Sequence, residues 1–155
     1  MKKLFILFLA IMPFVLTSCH DDDDLPDVEF TLTIEGGTEV DGTIYVAQGS
    51  TFEIQSITVT NKESDKGAAI TAASYYWDGY YIGLAVEPPY AFSLDIDEKT
   101  PTGRHILEIV SPLVAVDKTL ATSVLVLKVQ VVESEDDIPT GGDQSFSVTP
   151  SVDKN

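Results

Sequence analysis

The chain has a single cysteine, Cys19, in 155 residues, and a lone thiol can neither close an intrachain disulfide nor build a thiolate metal site. Stability must come from packing. Positive charge is scarce: 9 Lys and Arg stand against 25 Asp and Glu, a formal charge of −16, and so acidic a surface repels nucleic acid and anionic lipid headgroups. Nucleic acid is therefore excluded as a partner. Only two histidines occur, His20 and His105, and no His-Glu-x-x-His, Gly-x-Ser-x-Gly or phosphate-cradling glycine-rich signature is present. Helical periodicity is absent from residue 19 onward.

What is present begins with Met1-Lys2-Lys3, followed by an apolar run from Leu4 to Leu16. That run is 13 residues long, whereas a helix crossing a bilayer needs about 20. Residues 1–18 read as a cleaved secretory signal peptide rather than as structure. The box Leu16-Thr17-Ser18-Cys19 resembles the bacterial lipoprotein signal, which implies lipidation of Cys19 and an outer-membrane anchor made of several acyl chains, since one alone holds only marginally. The plainer alternative is an ordinary thiol in a plain cleaved leader. His20 and Asp21 to Asp24 follow, and residues 19–27 read as an acidic, lipidated linker. A run of aspartates is a solvated spacer at the least. Acidic residues just after a lipidated cysteine also resemble the surface-export tag of Bacteroidetes-type lipoproteins, which implies a body facing the cell exterior. Without residues 1–18 only seven cations remain and the formal charge is near −18.

Residues 28–133 suit one domain with a modest core. Val28 to Ile34 alternates apolar and polar side chains, the period of a strand with one buried face. Thr43 to Val46 is a short strand between turn signals, and Thr51 to Thr60 a longer one whose apolar parity slips between Ile54 and Ile57, the mark of a bulge. Ile70 to Trp77, Asp78-Gly79 and Tyr80 to Leu84 form the strongest hairpin signal. Tyr90 to Ile96, His105 to Val110 and Ser123 to Val132 complete seven or eight strands punctuated by Gly, Pro and Asp. The expectation is all-β: an antiparallel, Greek-key, immunoglobulin-like β-sandwich. Residues 134–155, rich in Gly, Ser, Pro and Thr, are expected to be a flexible tail.

The ordered series Ile70, Ala73, Tyr75, Trp77, Asp78-Gly79, Ile82-Gly83, Pro89-Tyr90-Ala91-Phe92, Thr100-Pro101-Thr102-Gly103, His105 and Leu107 resembles the bacterial immunoglobulin-like domain family that accompanies secreted glycoside hydrolases and surface proteins. The match runs from about Thr51 to Val132. It departs at Ser111 to Thr122, which is longer and more apolar than the family's short turn. The resemblance implies a spacer, adhesive module or accessory of polysaccharide handling, and no reaction.

The densest candidate site is Tyr75-Tyr76-Trp77-Asp78-Gly79-Tyr80-Tyr81, with five aromatics in seven positions. Alternation sends Tyr75 and Trp77 inward and leaves Tyr76 outside, with Tyr80 and Tyr81 at the hairpin on opposite faces, as rings that can stack on a sugar or anchor a protein. Their plainer role is sheet stability, about 0.2 to 1 kcal/mol for each cross-strand aromatic pair. His105 shares parity with Leu107 and Ile109 and reads as a half-buried histidine bonded to a backbone carbonyl. Asp95, Asp97 and Glu98 are the carboxylates that a glycosidase would need, yet their spacing is that of turn and surface acids. Neither acidic run, Asp21 to Asp24 or Glu133 to Asp137, has the spaced ligands of a calcium loop. The sequence thus points to a non-catalytic module with no cofactor and no metal site. Its expected partners are the outer membrane, reached through lipid, and a glycan, bound at Tyr76, Tyr80 and Tyr81. The alternatives are a structural or adhesive scaffold binding an envelope protein and, more remotely, a polysaccharide-acting enzyme.

Overall fold

Alternating side chains make each strand two-faced, and two such sheets can remove their apolar faces from water only by packing together. The computed structural model describes residues 27–62, 67–116 and 120–154; the signal segment, Cys19 and the Asp21 to Asp24 run lie outside the described residues. In chain order the strands are β1 (Val28–Glu35), β2 (Thr38–Val40), β3 (Thr43–Ala47), β4 (Thr51–Asn61), β5 (Ala68–Ile70), β6 (Ala73–Trp77), β7 (Tyr80–Ala85), β8 (Phe92–Asp95), β9 (Gly103–Ala115), β10 (Leu120–Val132), β11 (Ser145–Val148) and β12 (Ser151–Lys154).

The smaller sheet has the order β11-β1-β4-β8, and the larger has β2-β3-β10-β9-β6-β7, with β12 also on β10 and β5 also on β9. The architecture is an immunoglobulin-like β-sandwich, as the alternation implies. One pairing departs from the antiparallel expectation: β3 runs parallel to β10, Lys128 opposite Thr43 and Val132 opposite Ala47. Phe30, Leu32, Ile34, Phe52 and Ile54 of the smaller sheet face Ile44, Leu107, Ile109, Leu125, Leu127 and Val129 of the larger in one buried cluster. Each such side chain contributes about 1.5 to 3 kcal/mol when fully buried.

The parity slip in β4 is a bulge. Thr33 pairs with Ser56 and Ile34 with Ile54, so Gln55 is the extra residue, and Ile54 and Ile57 both reach the core. Asp41 and Gly42, and again Asp78 and Gly79, have positive φ at both positions, the type I′ geometry of a two-residue hairpin.

Two expectations are corrected. Ser111 to Thr122 is mostly strand: β9 and β10 are each 13 residues long and pair from Gly103 opposite Val131 to Val114 opposite Leu120. Pro112 fits within β9 because the neighbouring strand is broken beside it. β5 ends at Ile70 opposite Leu113, β6 resumes with Ser74 opposite Val110, and the Thr71 N–H between them donates to the Pro112 carbonyl at 3.2 Å.

The second correction is the tail. β11 pairs with β1 in the smaller sheet and β12 with β10 in the larger, so this segment bridges the two sheets along one side. Phe146, Val148 and Val152 pack on the core, and Glu39 and Asp143 exchange backbone hydrogen bonds of 2.8 and 2.9 Å. Gly142 permits that approach: a Cβ there would lie 2.2 Å from Thr38 Cγ2 and 2.5 Å from the Glu39 carbonyl oxygen.

β9 runs the length of the body. Its start lies beside the Asp78-Gly79 turn, where the Asp78 N–H donates to the Ile106 carbonyl at 2.9 Å. Its far end, Ala115, pairs with Ala68, whose N–H donates to Asn61 Oδ1 at 2.6 Å. Asn61 is opposite Val28, the first residue of β1.

Candidate functional site

The aromatic hairpin is built on a rigid base. Tyr75 is fully buried, stacked on Phe92 of the opposing sheet with centroids 4.3 Å apart and planes at 13°. Its hydroxyl donates to the Tyr90 carbonyl, and the Tyr90 hydroxyl donates to the Ile70 carbonyl at 2.8 Å. Burial pushes the Tyr75 phenol above its ordinary pKa.

Tyr76 faces outward, half-buried, and packs edge-on against Tyr81 at a centroid distance of 5.7 Å and an angle of 69°, as their cross-strand pairing dictates. Tyr80 is opposite Trp77 and 76% exposed; Tyr81 is 60% exposed. The structure therefore brings Tyr76 and Tyr81 together on the outer face and leaves Tyr80 at the tip on the other face. Trp77, expected inside, is only half-buried at the core margin. The ring that fills the interior is Tyr75.

The turn is clamped from below. His105 Nδ1 lies 2.7 Å from Asp78 Oδ2 and Nε2 lies 2.8 Å from the Pro101 carbonyl oxygen, while Asp78 Oδ1 accepts the Ile106 N–H at 2.9 Å. Both ring nitrogens face acceptors, so the imidazolium satisfies both. Trp77 stacks on the ring at 4.9 Å and 20°, an arrangement that also favours the cation. Desolvation lowers the His105 pKa, but the hydrogen bonds to Asp78 and Pro101 and the attraction of the Asp78 carboxylate outweigh it, and the net shift is upward from 6.5. Desolvation raises the Asp78 pKa, but the hydrogen bonds from His105 and Ile106 and the imidazolium charge outweigh it, and the net shift is downward from 3.8. The backbone-carbonyl bond of His105 matches the sequence reading. The role of Asp78, legible only as a turn residue, was missed.

Of the three carboxylates weighed for hydrolysis, two have structural partners. Asp95 accepts from Thr51 Oγ1 at 2.8 Å, Asp97 Oδ1 caps the Lys99 N–H at 2.7 Å, and Glu98 is exposed on the same turn. Among the described residues no group of three or more His, Cys, Asp or Glu is placed to hold a metal ion, and no helix is long and apolar enough to cross a membrane.

The fold thus defines an immunoglobulin-like β-sandwich module bearing an exposed aromatic hairpin. No family model matches the chain, and no curated protein matches it. A solved structure among the fibronectin(III)-like modules of CbhA from Clostridium thermocellum is similar over 64% of this chain and 96% of that one, with 19% identity and a TM-score of 0.39. Nothing about binding or activity passes between proteins at that level of likeness.

Proposed function

We propose that this is a non-catalytic, lipid-anchored module of the outer membrane, facing the cell exterior, which binds glycan as an accessory of polysaccharide handling. The observation that carries the reading is the exposure of Tyr81 and Tyr80 on a clamped hairpin, with Tyr76 packed edge-on to Tyr81. Large rings held rigidly in water stack on the apolar faces of sugars with little ordering cost. Affinity electrophoresis of the full chain against a panel of polysaccharides tests it. Retardation by at least one polysaccharide, abolished by Tyr76→Ala with Tyr81→Ala while the fold is retained, is the expected result; unchanged mobility throughout overturns it. The anchor is tested separately by incorporation of radiolabelled palmitate, which Cys19→Ser should abolish.

A second reading is an adhesive scaffold for an envelope protein, and β7 favours it. This strand is the end of the larger sheet, carries no charge or proline, and exposes Leu84, with Val86 just beyond. Such an edge offers free backbone groups to a partner strand. Loss of envelope-protein capture on Leu84→Lys, with glycan retardation absent in the wild type, would select this reading.

A further inference from the structure

In a chain with 25 acids and 9 Lys and Arg, two cations converge on one groove without an acidic partner. Arg104 of β9 and Lys128 of β10 are exposed on the outer face of the larger sheet, and neither side chain makes a hydrogen bond or ion pair among the described residues. The register brings them together: Gln130 of β10 has Arg104 on one side and Tyr45 on the other, and Lys128 has Ile106 on one side and Thr43 on the other, so Arg104 and Lys128 are diagonal neighbours. These residues line a groove of about 270 Å³.

Glu108 is diagonal to Lys128 on its far side, and two cations that form no ion pair with a carboxylate among the described residues can hold one oxyanion between them. Tyr45 is half-buried on the same face, so its ring stands beside the charges. A planar guanidinium, an ammonium, a side-chain amide and a phenol together suit a sugar carrying an acidic group better than a bare ion.

The groove shares its face with the aromatic pair. Lys128 and Tyr76 are two strands and one residue pair apart, about 12 Å by sheet spacing, with Glu108 between them in the row of Val126 and Tyr76. Glu108 keeps an anionic group on the Arg104 side, while the tyrosines remain open to uncharged faces.

We infer that the groove of Arg104, Lys128, Tyr45 and Gln130 is a binding site for an acidic saccharide unit, its carboxylate or sulfate held by the two cations. This rests on the glycan reading and narrows its substrate class to anionic polysaccharide.

The test is affinity electrophoresis and calorimetry of the full chain with polygalacturonate, dextran sulfate and neutral dextran, in the wild type and in the double variant Arg104→Gln with Lys128→Gln. Circular dichroism and thermal unfolding confirm that the variant, altered only at exposed positions, is folded. The expected result is at least about tenfold weaker binding of the preferred anionic polymer by the variant, with any neutral binding unchanged and the difference shrinking in high salt. Preference for polygalacturonate assigns a carboxylate, and preference for dextran sulfate a sulfate ester. Equal binding of the anionic polymers by wild type and variant overturns the inference. So does binding of neutral dextran alone, which leaves the glycan reading standing; no retardation by any polymer overturns both. Poly-aspartate bound as tightly as the anionic polysaccharides makes the groove a general anion site and overturns the saccharide assignment.

Discussion

His105 Nδ1 lies 2.7 Å from Asp78 Oδ2, which ties the start of β9 to the turn that presents Tyr80 and Tyr81. The pair makes stability depend on pH in a definite direction. The folded-state pKa of His105 is raised, so its contribution is fully present below 6.5 and fades as pH rises through the raised value. Asp78 is lowered, so its contribution is present above 3.8 and fades as pH falls through the lowered value. Thermal unfolding of wild type and His105→Gln should differ most between these limits and converge in alkaline solution. A gap that widens above pH 8 would refute the charged pair. Asp78→Ala should cost about 1 to 2 kcal/mol, because it also strands the Ile106 N–H.

Gly83 is a packing requirement. A Cβ at that position would lie 2.4 Å from Phe92 Cε2, and Phe92 is pinned against Tyr75. Gly83→Ala should therefore destabilise by about 1 to 3 kcal/mol in denaturant titration, and adding Phe92→Leu should recover part of the loss.

Two buried serines of similar chemistry should respond in opposite ways. Ser123 donates to the Ser111 carbonyl at 3.0 Å, whereas Ser111 Oγ is fully buried with no hydrogen-bond partner among the described residues. Ser123→Ala should cost about 1 kcal/mol. Ser111→Ala should be neutral or raise stability by up to about 1 kcal/mol, since it removes a desolvated hydroxyl. Chemical unfolding of the two variants side by side checks this.

Removal of residues 144–155 should lower the melting temperature by several degrees rather than leave it unchanged. The deletion takes Phe146, Val148 and Val152 off the core and opens the edges of β1 and β10. An unchanged midpoint in scanning calorimetry would show that these strands add nothing to the body.

That last case shows where sequence reading stops. β1 and β10 declare themselves because one face of each is buried and period-two alternation is the direct record of that fact. β11 and β12 alternate too weakly over four residues each, and Gly141-Gly142 reads as punctuation until Thr38 and Glu39 are seen against it. The hairpin was legible down to its positive-φ turn, and Tyr76, Tyr80 and Tyr81 fall where alternation sends them. Arg104 and Lys128 were not legible as a pair, because 24 positions separate them and only the long β9–β10 register sets them on one groove. Asp78 was hidden for the same reason: its partner arrives from another strand.

The run of β9 from the Asp78 turn to the neighbourhood of Val28 gives the body two poles. From Leu107 to Ala115 the strand covers about 27 Å, so Val28 marks one end while the tyrosines and the cationic groove occupy the other half. Under the proposed lipid anchor at Cys19, both surfaces would point away from the support, where a polymer too large to slip beneath the body could reach them.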